Sequence, residues 1–143
     1  MRMSSKGRYS TRAMMELALH FGQGLVQVKD ISARQQISER YLEQLLVRLR
    51  RAGLVKGVRG ARGGFTLTKP PTEIRLSEII KAAEGSVQPV KCIDEPELCP
   101  QSDGCVTRNV WGEIGRAINQ VLEAKTLQDL VEQHEERKVG GRY

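Results

Sequence analysis

Cys92, Cys99 and Cys105 are the only cysteines of the chain and fall in one segment with the spacing C-x6-C-x5-C. Thiolates gathered this way are suited to iron, because iron–sulfur clusters take their ligands chiefly from cysteine. An odd count argues against a disulfide framework, and the absence of a C-x-x-C pair argues against a common zinc ribbon or dithiol redox motif. Spacing alone leaves two chemistries open. One is a cluster; the other is a set of metal-free thiols, with an ordinary pKa of about 8.5, acting as a redox switch. The segment from Val87 to Gly104 is rich in Pro, Asp and Glu and lacks periodicity. It runs into the start of a helix, where backbone N–H groups favour an anionic group.

A second constellation lies between Ser38 and Phe65, in SERYLEQLLVRLRRAGLV followed by VRGARGGF. Ser38 is a helix cap and Glu39 suits the positive end of the helix dipole. Leu42, Leu45, Leu46 and Leu49 recur at helical period, and Gly53 supplies a terminator. The opposite side of that helix carries Arg40, Glu43, Gln44, Val47, Arg48 and Arg51, a set able to reach phosphates and base edges. Upstream, Val28, Ile31 and Ala33 predict a short helix, which makes a helix-turn-helix whose second helix enters the major groove. Downstream, Leu54 to Val58 and Phe65 to Leu67 are short β-prone runs around a glycine-rich tip bearing Arg59 and Arg62. Glycine permits close backbone approach, and arginine favours a narrow minor groove. A winged helix is expected, with double-stranded DNA as its partner.

Enzyme chemistry fits poorly. Gly64 is followed by Phe65, Thr66, Leu67, Thr68 and Lys69 rather than by the Lys-Ser or Lys-Thr and helix that a P-loop needs. No dinucleotide fingerprint is present, and the only two histidines, His20 and His134, are far apart.

Charge is divided unevenly along the 143 residues. Met1 to Lys69 holds 14 Lys and Arg against 4 Asp and Glu (+10), and Pro70 to Tyr143 holds 9 against 13 (−4), giving the formal +6. The basic half contains the helix-turn-helix, and such asymmetry raises affinity for the phosphate backbone. No apolar run approaches the ~18 residues of a membrane span and no secretory segment is seen, so a cytoplasmic protein is expected.

The remaining elements are an N-terminal helix from about Ser10 to Phe21, with Met14, Leu17, Ala18 and Phe21 inward, and a short helix bearing Leu76, Ile79, Ile80 and Ala83. A long helix from about Thr107 to Ala124 and a shorter one capped by Thr126 follow, and the tail from Lys138 is expected to fray. Val110, Trp111, Ile114, Ala117, Ile118, Val121 and Leu122 form a stripe on the long helix, most simply a dimer seam. The fold class is therefore mainly α with a small β-wing. Three parts are expected: a DNA-binding domain over 1–85, a cysteine-bearing sensor loop over 86–106, and a dimerisation helix with a C-terminal helix over 107–143. A helix-turn-helix commonly acts as a two-fold dimer, so a homodimer on a palindromic operator is expected.

The opening MRMSSKGRYSTRAMMELAL, the block from Ser38 to Val55, the VRGARGGF wing and the cysteine loop before a tryptophan-bearing helix together resemble the iron–sulfur regulators typified by IscR, with NsrR, RirA and CymR as relatives. The likeness covers roughly residues 1 to 135 and implies a winged-helix dimer with crossed long helices. It also implies a transcription factor, most often a repressor. Family positions for DNA contact carry over to Ser38, Tyr41, Glu43, Gln44 and Arg59; Arg40 is added from the helical wheel. Glu43 repels phosphate but can accept from cytosine N4, which suits discrimination. The resemblance also implies that Cys92, Cys99 and Cys105 hold an iron–sulfur cluster. The chain departs from the family at the fourth ligand: Arg108 stands where IscR has histidine, and Arg8 where an NsrR-like protein has aspartate. Either a carboxylate such as Asp103 or Glu113 completes a [2Fe–2S] site, or a [4Fe–4S] cluster sits on three cysteines with one open iron. The alternatives are a cluster-free regulator similar to CymR, controlled by thiol oxidation or a partner protein, and an enzyme-binding adaptor using the acidic C-terminal half.

Overall fold

A computed structural model describes residues 2–139. Helix α1 (Ser5–Leu19) runs through the centre of the N-terminal body, with Ala13, Met14 and Leu17 buried. It begins five residues before the apolar periodicity becomes visible, because its first turn is held by polar groups. The Ser4 hydroxyl accepts from the Lys6 N–H at 3.2 Å, and the Glu84 carboxylate accepts from the backbone N–H groups of Ser4 and Gly7. Phe21, expected inward, lies beyond the end of α1 and is 39% exposed.

Helix α2 (Val28–Gln35) ends at Gln36, whose left-handed backbone (φ 55°) makes the tight turn into α3 (Glu39–Arg51). The two stay in register through α1. Arg12 donates from Nε to Gln35 Oε1 at 2.8 Å, and the buried Glu16 carboxylate accepts from Gln35 and pairs with Arg34 at 3.3 Å. Leu42, Leu46 and Leu49 of α3 and Ile31 of α2 pack with Met14 and Leu17 in a single core. The apolar face is continuous because its residues recur at i, i+4 and i+7.

Strands β1 (Val55–Val58) and β2 (Gly64–Leu67) pair antiparallel, with Val55 opposite Leu67 and Val58 opposite Gly64. Val26 extends the ladder by exchanging backbone hydrogen bonds with Phe65 at 2.9 and 2.8 Å, which ties the entrance of α2 to the wing. After a 3₁₀ turn at Pro71–Glu73 comes α4 (Leu76–Glu84), which buries Ile79, Ile80 and Ala83.

Two further 3₁₀ turns, Lys91–Ile93 and Pro96–Leu98, give the cysteine segment local order that its sequence does not advertise. Helix α5 (Val106–Ala124) buries only Gly112 and Gly115 of its 19 residues. Val110 (50% exposed), Trp111 (37%) and Val121 (56%) leave the expected stripe open along it. Helix α6 (Leu127–Val139) turns back onto α1, capped by Thr126 as its sequence suggests, and puts Leu127 into the core. The C-terminal helix therefore completes the N-terminal body. Lys138 and Val139 are helical, and the rest of the expected frayed tail lies outside the described residues. No helix among the described residues is long and apolar enough to cross a membrane.

Candidate nucleic-acid interface and cysteine loop

The exposed side of α3 divides into two rows. Glu43, Val47 and Arg50 lie toward the wing and, with Gln27, Lys29, Arg59 and Phe65, line a cleft of about 690 Å³. Gln44, Arg48 and Arg51 form the second row. Arg48 is tied across the fold, its guanidinium donating to the carbonyl of Ala83 on α4 at 3.1 Å. Arg40, Glu43 and Gln44 are exposed. Ser38 caps the helix, accepting from the Tyr41 N–H at 3.2 Å. Tyr41 is half-buried, its hydroxyl 2.8 Å from that of Ser5 and its ring edge-on to Tyr9 at 5.9 Å. Arg8 and Arg12 in turn lie 5.4 and 5.3 Å from the centre of the Tyr9 ring. The start of α3 is thus bracketed to the start of α1.

Arg50, Gln27 and Lys29 line the cleft although no local signal in the sequence marks them. Arg50 lies two residues from Arg48, about 200° around the helix, and only the position of the wing shows which of the two is presented. Gln27 secures that position by donating to the Ala61 carbonyl at 3.0 Å. Within the hairpin tip, a Cβ on Gly63 would lie 2.0 Å from the Val58 carbonyl oxygen, so the tip closes only around glycine there.

Cys92, Cys99 and Cys105 are free thiols of intermediate exposure. Cys105 stands at the N-terminal boundary of α5 without a side-chain capping bond, and the Thr107 hydroxyl lies 3.2 Å from its sulfur. That hydroxyl, followed by the Arg108 N–H, holds the Cys105 thiol below its ordinary pKa. Arg108 donates from Nε to the Cys92 carbonyl at 3.1 Å and so braces the loop. The loop rests on α5 where that helix lacks side chains: the Gln88 amide oxygen lies 1.9 Å from where a Cβ on Gly115 would be. The donor chemistry suits a cluster, with three thiols in one loop and one of them favoured as thiolate. Among the described residues, however, no three of His, Cys, Asp and Glu converge closely enough to hold a metal ion. Thr107→Val is expected to slow iodoacetamide labelling of Cys105 in metal-free protein at neutral pH about twofold or more, read by mass spectrometry. An unchanged rate would show that the hydroxyl does not tune this thiol.

A two-helix reader, a glycine-turned wing and a basic cleft between them define a winged-helix transcriptional regulator rather than an enzyme. The chain belongs to the Rrf2 family of iron-dependent transcriptional regulators, whose model matches residues 3–133. The HTH-type transcriptional regulator IscR of Photorhabdus laumondii subsp. laumondii is 44% identical over 142 residues, covering 99% of this chain and 86% of that protein. The structure of T. potens IscR is similar with a TM-score of 0.78 at 42% identity, covering 95% of this chain and 90% of that one. The structure of CymR, the global cysteine regulator of B. subtilis, gives 0.79 at 38% identity, covering 93% and 98%.

Proposed function

We propose that this regulator binds a palindromic operator as a homodimer, most simply as a repressor, and that an iron–sulfur cluster held by Cys92, Cys99 and Cys105 modulates the binding. The observation that carries the DNA reading is the cleft shared by Glu43, Val47 and Arg50 of α3 with Arg59 and the glycine backbone of the wing. A helix in the major groove and a wing on the adjacent minor groove place a phosphate strand between them, where Lys29 and Arg50 supply charge. Gln44 is exposed to pair with adenine, Glu43 accepts from cytosine N4, and Arg59 enters the minor groove. Ser38, Arg40 and Tyr41 hold the start of α3 against the backbone.

The open stripe of α5 supports dimerisation, since Val110, Trp111 and Val121 together expose apolar surface on a helix that buries almost nothing of its own. Val121→Asp is expected to shift the protein to monomer in sedimentation; a dimer of unchanged strength would remove this helix as the seam. A bound cluster supplies a redox-sensitive and labile centre, so its loss is a signal. Cys105, with its lowered pKa, is the ligand best prepared as thiolate. That same lowered pKa supports a second reading, control by thiol oxidation without a cluster, which iron content distinguishes.

Selection of duplexes from a random-sequence pool tests the DNA reading. An enriched inverted repeat, with binding weakened by Gln44→Ala and Arg59→Ala, is expected. An enriched site without two-fold symmetry would contradict the dimeric mode, and no enrichment would contradict sequence-specific binding altogether.

A further inference from the structure

The last residue of α4 is an acid placed where an acid is unfavourable. A carboxylate at a helix C-terminus meets the negative end of the dipole, and Glu84 ends α4. Helix α1 has the complementary deficit. Its first turn contains no acidic residue and carries Lys6 and Arg8 at the positive end of the dipole. The fold joins these two ends. Glu84 Oε1 accepts from the Ser4 N–H at 2.9 Å, from the Gly7 N–H at 3.3 Å and from the Ser4 hydroxyl. The approach depends on Gly7, where a Cβ would lie 2.9 Å from the same oxygen. A residue about eighty positions away in the sequence thereby supplies the anionic cap that α1 lacks.

The neighbouring residue makes a second tie. The carbonyl of Ala83, one of those left unsatisfied at the end of α4, accepts from Arg48 of α3. The Ala83–Glu84 corner therefore grips the reading helix along two routes. Arg48 fixes its C-terminal half directly. Glu84 fixes its start indirectly, because the first turn of α1 carries Ser5, which meets the Tyr41 hydroxyl, and leads to Tyr9, which meets the Tyr41 ring.

We propose that Glu84 is a positioning residue for DNA recognition, setting the angle of α3 through the N-terminus of α1, with Arg48 as its counterpart at the other end. Neither residue needs to touch DNA. The proposal rests on α3 being the helix that reads DNA, and it deepens that assignment by separating the residues that make contact from those that aim them. A misaimed helix loses base contacts, which need fixed geometry, while flexible lysines and arginines still reach phosphate.

The test uses full-length protein and two duplexes, one selected from a random pool by the wild type and one of scrambled sequence. Glu84→Ala is expected to weaken binding to the selected duplex about tenfold. Affinity for the scrambled duplex and the slope of affinity against salt should stay unchanged, because the phosphate contacts remain. Glu84→Gln, which keeps an acceptor oxygen at the same reach, should recover part of the loss. Where Glu84→Ala does not fold, Arg48→Ala carries the same prediction. Equal losses on both duplexes would show a general structural role and overturn the proposal, as would no loss on either. If the wild type selects no duplex at all, the DNA assignment of α3 fails first and the proposal falls with it. A wild type that selects while the variants match it overturns only the positioning role.

Discussion

Gly63→Ala is expected to cost about 10–100-fold in affinity for a selected operator while leaving the fold intact, measured by fluorescence anisotropy beside a thermal melt. The added methyl would stand 2.0 Å from the Val58 carbonyl oxygen and 2.9 Å from the Arg59 carbonyl carbon. Both atoms belong to the backbone, so no side chain can swing aside and the hairpin tip must open. Opening it moves Arg59 away from the cleft it shares with Arg50, and loss of a well-placed arginine contact is worth ~1–3 kcal/mol, hence the fold-change. The core begins at the opposite end of the hairpin, where the paired Val55 and Leu67 are buried, and does not feel the tip. Undiminished affinity would mean that the wing does not take part in binding.

The second large effect falls on stability. Leu46 is fully buried on α3, in the cluster that joins α1, α2 and α4. Leu46→Ala is expected to destabilise the protein by about 3 kcal/mol, from lost transfer energy and from the cavity left behind. Against a total stability of about 5–15 kcal/mol this is a substantial fraction. The midpoint of thermal unfolding should fall by roughly 10 °C at fixed protein concentration. A change under about 1 kcal/mol would mean that neighbouring side chains collapse into the space, and that the reading helix is less firmly seated than its burial implies.

The reading helix was legible because its signals are local. Leucines at helical spacing, a serine cap and a terminal glycine all act within a few residues of one another. The wing was legible for the same reason, from two β-prone runs around glycines. Partners distant in sequence were not legible. Arg48 looks like a member of the solvent face until α4 supplies the Ala83 carbonyl, and Arg50 acquires a role only from the position of the wing. The early start of α1 depends on Glu84, and the bridge from Val26 to Phe65 rests on one valine with no strand pattern around it. The amphipathic run after Thr126 shows that α6 has an apolar face, but not that this face closes over α1. In the cysteine loop the three thiols and their spacing were plain, and spacing left a cluster and a redox switch both open. The brace from Arg108 to the Cys92 carbonyl and the seat on Gly115 could not be seen, since each needs the loop folded against α5.

Cluster control of DNA binding is tested by comparing one preparation, purified without oxygen, before and after removal of iron by chelation. Iron and acid-labile sulfide are assayed on both, and the affinity of each for the same selected duplex is measured at one salt concentration. Iron and sulfide are expected in near-stoichiometric amounts, absent from a Cys99→Ala variant, with an affinity that differs at least about fivefold between the two states. Iron-free protein from the outset, or loaded and stripped protein that binds the duplex equally, would contradict control by a cluster.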